Sequence, residues 1–135
     1  MRSQKLLYEP VAMLVIYEKG FKFKYTKYYL HLGRNEVGSN SNCTVNLPRG
    51  DDFHPHSCVI NITPELATIE AVEPKCLFVP SNMQKKNLLV ELAPGVKYVI
   101  EMEKDFSICG RKAIMQVSPH HELLQIKGVH NADKF

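Results

Sequence analysis

The sequence predicts an all-β domain, a sandwich or barrel of about eleven short strands, and three observations lead to this prediction. Apolar and polar residues alternate with a period of two through most of the chain. Apolar residues at helical spacing are nearly absent before residue 118. The alternating segments are short and are separated by turns rich in Gly, Pro, Asn and Ser, which is typical of sandwiches and barrels.

The predicted strands follow one another closely, and turn residues mark their ends. Glu18-Lys19-Gly20 joins the first two strands, Gly38-Ser39-Asn40-Ser41-Asn42 is a polar loop, and Cys109-Gly110-Arg111 has the composition of a tight hairpin turn. The predicted strands are Val11–Tyr17, Phe21–Tyr25, Tyr28–Leu32, Thr44–Leu47, Cys58–Ile62, Thr68–Val72, Leu77–Val79, Leu88–Leu92, Lys97–Glu101, Phe106–Cys109 and Lys112–Val117.

The chain of 135 residues has the length of one domain. We expect an N-terminal extension over residues 1–10, the β-domain over residues 11–117 and a C-terminal tail over residues 118–135. Ser118 as an N-cap, Pro119 at the first helical position and Gly128 as a stop predict a short helix or a partly ordered segment in that tail.

Composition narrows the function classes. A hydrophobic fraction of 44% and a charged fraction of 23% are ordinary for a globular protein, and a net charge of +3 alone implies neither nucleic acid nor a membrane partner. No apolar run approaches the roughly 20 residues of a membrane span. The four cysteines are scattered, so we expect reduced thiols in a cytosolic or nuclear protein, and their spacing does not favour a disulfide.

The segment from Leu30 to Pro48 carries a recognisable motif. It reads Leu-His-Leu-Gly-Arg-Asn-Glu-Val-Gly-Ser-Asn-Ser-Asn-Cys-Thr-Val-Asn-Leu-Pro, and it resembles the forkhead-associated (FHA) signature, in particular that of the mediator-of-DNA-damage-checkpoint family. The resemblance implies an FHA-like β-sandwich whose loops at one end bind phosphothreonine. It also implies a nuclear DNA-damage-response protein that supports chromosome stability, with phosphorylated proteins of that response and a second copy of itself as partners.

Aligned on this motif, the family's phosphate-binding positions carry unusual residues. The family's Gly-Arg falls on Gly38-Ser39, so the arginine is replaced by serine. The family's Ser-x-x-His falls on the stretch from Phe53 to His56, so the phosphate-contacting serine is replaced by Phe53 while the structural histidine is kept as His56. The family's Asn-Gly falls near Ser81-Asn82. The neutral hydroxyl of Ser39 cannot replace the two charged donors of an arginine guanidinium, and the phenyl ring of Phe53 donates no hydrogen bond to phosphate. We therefore expect phosphothreonine binding to be lost.

A second Gly-Arg pair lies five residues earlier, at Gly33-Arg34. Two interpretations of Arg34 stay open at this point. It either reaches the phosphate site as a residual contact, or it lies on the surface and pairs with an acidic residue such as Glu36, which the sequence favours.

The sequence predicts no metal, no cofactor and no enzymatic activity. His54, His56 and Cys58 alternate as zinc ligands on one strand face would, but a fourth ligand and a Cys-x-x-Cys pair are missing, and Pro55 interrupts the strand. Cys58 beside His56 lacks the setting of a catalytic thiolate. The sequence contains no P-loop and no dinucleotide-binding fingerprint.

An aromatic row over Phe21, Phe23 and Tyr25 alternates with two lysines, which predicts rings facing the core and lysines facing solvent. A nucleic-acid platform would instead place rings and lysines on one surface, so nucleic acid is the less favoured partner.

The interpretation that we favour is a divergent FHA interaction domain that homodimerises without reading phosphothreonine, with Phe21, Phe23, Tyr25 and Tyr28 as a candidate dimer surface. Two alternatives remain. One is a working phosphothreonine reader, and the other is a nucleic-acid binder that uses Lys22, Lys24 and Lys27.

Overall fold

The computed structural model describes residues 10–49, 53–81 and 88–118. These residues form eleven strands and no helix. No helix among them is long and apolar enough to cross a membrane. The strands are β1 (Ala12–Tyr17), β2 (Tyr25–Leu30), β3 (Gly33–Gly38), β4 (Val45–Asn46), β5 (Cys58–Ile62), β6 (Ala67–Ala71), β7 (Leu77–Pro80), β8 (Leu89–Glu91), β9 (Tyr98–Val99), β10 (Phe106–Ile108) and β11 (Arg111–Val117).

The strands form two sheets. One has six strands in the order β2-β1-β11-β10-β7-β8, and the other has five in the order β4-β3-β5-β6-β9. Pairing is antiparallel except between β3 and β4, which run parallel. This arrangement confirms the predicted all-β sandwich.

One core lies between the two sheets, and the alternation of side chains builds it. On β5 the residues Cys58, Ile60 and Ile62 are buried while Asn61 is exposed, as expected of a strand with one face inward. Opposite them, Leu14 of β1 and Met115 of β11 are paired in register and fully buried. Both inner faces therefore contribute to a single apolar cluster.

Several connections meet at one end of the sandwich, which we call the loop end. These are the β3–β4, β4–β5 and β6–β7 loops and the β10–β11 turn. Direct contacts join them, because Ser39 N donates to His54 O and Cys109 lies against both Ser57 and Cys76. Loops joined in this way to a rigid sandwich are the usual place for a binding site.

Two strand predictions in the first third of the chain are wrong. Residues 21–24 form no strand, and the second strand is β2 over Tyr25–Leu30 rather than Tyr28–Leu32. Strand β3 was missed, because Arg34, Asn35 and Glu36 do not look like a buried strand. The predicted helix of the C-terminal tail lies outside the described residues.

Candidate functional site

The β3–β4 loop is tied to the β4–β5 loop through its backbone amides. Ser39 N donates to His54 O at 3.0 Å, and Asn40 N donates to Pro55 O at 3.1 Å. Gly38 permits this approach, since a Cβ atom at that position would lie 2.0 Å from Pro55 O. The Gly38 assigned to the structural motif is therefore where the two loops touch.

The next amides of the same loop are also occupied. Asn42 N donates to Asn40 Oδ1 at 2.8 Å, and Cys43 N donates to Asn40 O at 3.0 Å. With Ser39 and Asn40, four backbone donors of the loop already have protein acceptors. A phosphate group needs several free donors at one place, and this loop offers few.

The two positions at which the sequence predicts lost phosphate contacts are both buried. Ser39 is 8% exposed and Phe53 is 7% exposed. Phe53 belongs to the apolar core cluster, and the guanidinium of Arg111 lies 5.0 Å from the centre of its ring. The phenyl ring therefore packs in the core and contributes little to the exposed surface of the loop end.

Arg34 lies away from the loop end. It is exposed on the outer face of β3, and its Nε lies 3.1 Å from Glu36 Oε2. It precedes Gly38 by four residues on one strand, a separation of about 13 Å at strand rise. The described geometry places it in a surface ion pair and not beside Ser39.

His56 sits between the two loops. The residue is exposed, and its Nδ1 lies 3.8 Å from Cys43 Sγ, whose thiol also approaches Pro55 O at 3.4 Å. This contact adds to those that join the β3–β4 and β4–β5 loops.

Ser81 does not join this site, contrary to the alignment. Leu77 of β7 pairs with Ile108 near the loop end, and Pro80 pairs with Leu89, so β7 runs away from the loop end. Ser81 follows β7, and its backbone N donates to Leu88 O at 2.9 Å at the opposite end of the sandwich. Asn82 lies outside the described residues.

A cavity of about 310 Å³ opens beside Phe53. It places two cations, Lys19 and Arg111, near the hydroxyls of Thr26 and Tyr28, while the Glu18 carboxylate offsets part of their charge. The remaining lining residues are Ile16, Pro48 and Phe53. Sequence reasoning did not identify this cavity, since its residues come from four separate parts of the chain.

A group of thiols lies on the other side of the loop end. The sulfur atoms of Cys76 and Cys109 are 3.0 Å apart, and Ser57 Oγ lies 3.6 Å from Cys109 Sγ. His54, whose Nδ1 lies 3.3 Å from Glu73 Oε1, completes a set of three metal-ligating side chains with ligand atoms within 4.8 Å of one another. This set differs from the trio of His54, His56 and Cys58, which the sequence analysis considered as zinc ligands and rejected.

The thiols differ in their acidity. The hydrogen bond from Cys76 is the main cause that lowers the pKa of Cys109 to about 6, and the same bond raises the pKa of Cys76. Burial raises the pKa of Cys58 and of Cys43. The hydrogen bond between the two thiols therefore favours a thiolate on Cys109 over one on Cys76.

The segment of residues 21–25, which we call the aromatic loop, carries exposed rings. Phe23 is 87% exposed, Phe21 52% and Tyr25 47%. The Nζ atom of Lys24 lies 4.9 Å from the Phe21 ring centre, and that of Lys27 lies 5.9 Å from the Tyr25 ring centre.

The prediction that these rings face the core is wrong, because residues 21–24 do not follow strand geometry and rings and lysines share one surface. Tyr28, the fourth residue of the candidate dimer surface, is half-buried against the core.

No protein-family model matches the sequence, and no curated protein matches it. Solved structures do. The MEK1 FHA domain superposes with a TM-score of 0.62 and 10% identity, covering 87% of this chain and 98% of that chain. The chain has the fold of an FHA domain.

Two further structures support this assignment of the FHA fold. An FHA domain studied for phosphothreonine-dependent interactions gives a TM-score of 0.56 at 14% identity, with 81% and 98% of the two chains covered. Mycobacterium tuberculosis EmbR, solved with a low-affinity phosphopeptide, gives 0.55 at 15% identity, covering 84% of this chain and 26% of that one.

Proposed function

We propose that this FHA-fold domain is a non-enzymatic protein-interaction module that does not read phosphothreonine. The observation that carries the proposal is the state of the loop end. Ser39 and Phe53, which the alignment on the FHA motif puts in place of the guanidinium and the hydroxyl, are both buried, and four loop amides are already bonded.

The loss of these phosphate contacts would greatly weaken the binding of a short phosphopeptide. A hydrogen bond to a charged group contributes about 1.5–3 kcal/mol, so losing several such bonds removes most of the affinity. Structures of the same fold include a phosphothreonine-dependent FHA domain and a complex with a low-affinity phosphopeptide. This chain keeps that architecture, and we infer that its interactions use a different surface.

Calorimetry with a phosphothreonine peptide library and its unphosphorylated counterpart tests whether phosphothreonine binding is lost. We expect no phosphate-dependent heat at peptide concentrations up to about a millimolar, a weak-binding limit near −4 kcal/mol. A micromolar phosphate-dependent affinity that is abolished by Arg111→Gln or Arg34→Ala, and kept in Lys97→Gln, would contradict it.

We propose that the aromatic loop is the interaction surface and that its partner is a second copy of this chain. Phe21, Phe23 and Tyr25 are exposed and close in sequence, at the start of the edge strand β2 of the six-stranded sheet. A contiguous apolar patch on a small domain marks an interaction site, and a two-fold dimer would use the same patch twice.

Solution mass tests self-association. Light scattering across a concentration series should give twice the monomer mass for the unaltered chain and the monomer mass for Phe21→Ser/Phe23→Ser. Leu32→Ser, which removes an exposed apolar side chain outside the aromatic loop, should leave the mass unchanged. A monomer at every concentration would rule out the dimer.

The biological setting is proposed from the sequence resemblance. A nuclear DNA-damage-response mediator would gain avidity from dimerisation, since two copies make any other binding modules of the same protein bivalent. Localisation of a tagged chain before and after induced DNA breaks tests this. Recruitment to breaks that disappears with Phe21→Ser/Phe23→Ser is the expected result.

Nucleic-acid binding is a second candidate function, and a specific observation favours it. The rings of the aromatic loop share a surface with Lys24 and Lys27, as stacking platforms for single strands do. Affinity for a single-stranded oligonucleotide should then fall steeply with salt and drop further in Phe23→Ala. The absence of measurable binding at low salt would remove this candidate.

A further inference from the structure

Three connections of the loop end bring together His54, Cys76 and Cys109, which we call the thiol–imidazole cluster. His54 comes from the β4–β5 loop, Cys76 from the residue before β7, and Cys109 from the β10–β11 turn. Their ligand atoms all lie within 4.8 Å of one another, and the two sulfurs are 3.0 Å apart. These residues are 22 and 33 positions apart in the sequence, so the fold alone creates the cluster.

Two thiolates and an imidazole are the ligands that zinc prefers. With zinc–sulfur bonds of about 2.3 Å and zinc–nitrogen bonds of about 2.0 Å, tetrahedral geometry places ligand atoms about 3.5–3.8 Å apart. The sulfur–sulfur distance is shorter than these values and all ligand atoms lie within 4.8 Å of one another, so side-chain rotations that move these atoms by about an ångström reach tetrahedral geometry. We propose that the thiol–imidazole cluster is a zinc site of the Cys₂His type with one open coordination position.

Neighbouring groups fit this assignment. The Glu73 carboxylate lies 3.3 Å from His54 Nδ1, an arrangement by which a carboxylate orients a metal-binding imidazole. Ser57 Oγ lies 3.6 Å from Cys109 Sγ, within hydrogen-bonding distance of the sulfur. The cluster thus has polar support around it as well as its ligands.

The degree of burial of the three side chains also fits a metal ion that enters from solvent. Cys76 is fully buried, whereas His54 and Cys109 are half-buried, so the site is anchored in the protein and open on one side. Bound zinc would cross-link the β4–β5 loop, the β6–β7 loop and the β10–β11 turn. Zinc binding exchanges the remaining thiol protons for the metal and releases them to solvent. The inference is independent of the proposed function, because it uses none of the residues of the aromatic loop.

Cobalt titration is the sharpest test. The reduced 135-residue chain, stripped of metal with a chelator, should bind one Co²⁺ with thiolate-to-cobalt charge-transfer absorption in the near ultraviolet, and equimolar Zn²⁺ should displace it. His54→Ala and Cys109→Ser should lower the affinity at least tenfold, as should Cys76→Ser. Glu73→Gln should lower it about tenfold, the usual effect of removing an orienting carboxylate.

His56→Ala and Cys43→Ser are matched controls, because they remove a histidine and a cysteine of the loop end that lie outside the cluster. Both should keep full cobalt binding. Since Cys76 lies in the core and its substitution also affects folding, the decisive variant is His54→Ala. Zinc should raise the melting temperature of the unaltered chain but not that of His54→Ala.

Two results would overturn the inference. One is the absence of charge-transfer absorption at saturating cobalt in the fully reduced chain. The other is a cobalt spectrum that persists in both His54→Ala and Cys109→Ser. A Cys76–Cys109 disulfide that forms in air and is detected as a loss of two hydrogens, in a chain whose reduced form binds no cobalt, would identify the pair as a redox site instead.

Discussion

At the scale of single residues, the loop end depends on close contacts that leave little room for change. Gly38 ends β3 directly against the backbone of the β4–β5 loop, where a Cβ atom would lie 2.0 Å from Pro55 O and 2.9 Å from the Cα atom of His56. The obstructing atoms belong to backbone, so they cannot rotate away as a side chain would. The glycine is required by space here and not by an unusual backbone angle.

Replacing Gly38 with alanine should therefore destabilise the domain by about 1–3 kcal/mol, the usual cost of overpacking a tight site. Urea denaturation followed by circular dichroism measures the change. Ser41→Ala, at an exposed position of the same loop, should change the free energy of unfolding by less than about 0.5 kcal/mol. Equal stability of Gly38→Ala and the unaltered chain would show that the two loops separate easily.

A second residue-scale prediction concerns Cys109 in the reduced, metal-free chain. Its folded-state pKa is lowered to about 6 from the ordinary value of 9.0, mainly by the hydrogen bond from Cys76. The thiolate therefore favours the folded state fully above pH 9, and this advantage is lost as the pH falls through about 6. Alkylation of Cys109 by iodoacetamide should rise through pH 6 and level off near neutrality.

The Cys76→Ala variant removes the hydrogen bond and should move the alkylation midpoint of Cys109 towards pH 9. Cys43, whose pKa is raised by burial, should stay unreactive at neutral pH and serves as an internal comparison. Peptide mass spectrometry after timed labelling assigns each site. A Cys109 midpoint near 9 in the unaltered chain would contradict the lowered pKa.

At the scale of elements, alternating apolar residues were enough to predict most strands. Strand β5 was predicted with its observed bounds, Cys58–Ile62, because its inward residues are apolar and it is flanked by turns. Strand β3 was missed because Asn35, a polar residue, occupies an inward position and is fully buried. Local pattern does not reveal that such a side chain has partners elsewhere in the fold.

At the aromatic loop the error is the opposite, because a strand was predicted where residues 21–24 form none. Alternating rings and lysines fit a strand with a buried face, but β1 already has two neighbours in its sheet, and residues 21–24 connect it to the edge strand β2. The thiol–imidazole cluster was also beyond sequence reasoning, since pairing between β7 and β10 brings Cys76 opposite Cys109. Sites assembled by topology carry no spacing signal.

The prediction at the scale of elements concerns Asn35. Its Nδ2 lies 2.8 Å from His31 O, 3.2 Å from Gly33 O and 3.3 Å from Ile60 O, while His31 N donates to its Oδ1 at 3.0 Å. One side chain thus holds the turn between β2 and β3 and fixes it to β5. The chain changes sheets at this turn, so these bonds join the two halves of the sandwich.

Asn35→Ala should cost about 2–4 kcal/mol, because it leaves buried backbone groups without partners and each such group costs about 1–3 kcal/mol. Asn61→Ala on the exposed face of β5 is the matched control and should be nearly neutral. Urea denaturation compares the two. A loss at Asn35 no larger than that at Asn61 would mean that water replaces the amide at the turn.

At the scale of the whole molecule, the inner faces of the two sheets share one core in the part of the chain that the structure describes. Ile60 of β5 is fully buried and belongs to the same cluster as Leu14 of β1 and Met115 of β11. A domain of this size with a single core is expected to unfold in one cooperative step. A destabilising substitution in one sheet should then lower the stability of both sheets equally.

Ile60→Ala should lower the free energy of unfolding by about 2–5 kcal/mol, and Ile60→Val by about 0.5–1.5 kcal/mol, in proportion to the buried methyl groups removed. Native-state hydrogen exchange reports each sheet separately, through the amides of Leu14 in the six-stranded sheet and Ile69 in the five-stranded sheet. Both amides should lose the same protection in Ile60→Ala, because they exchange through the same global opening. Lost protection at Ile69 with Leu14 unchanged would mean that the five-stranded sheet opens on its own, and the single-core interpretation would then be wrong.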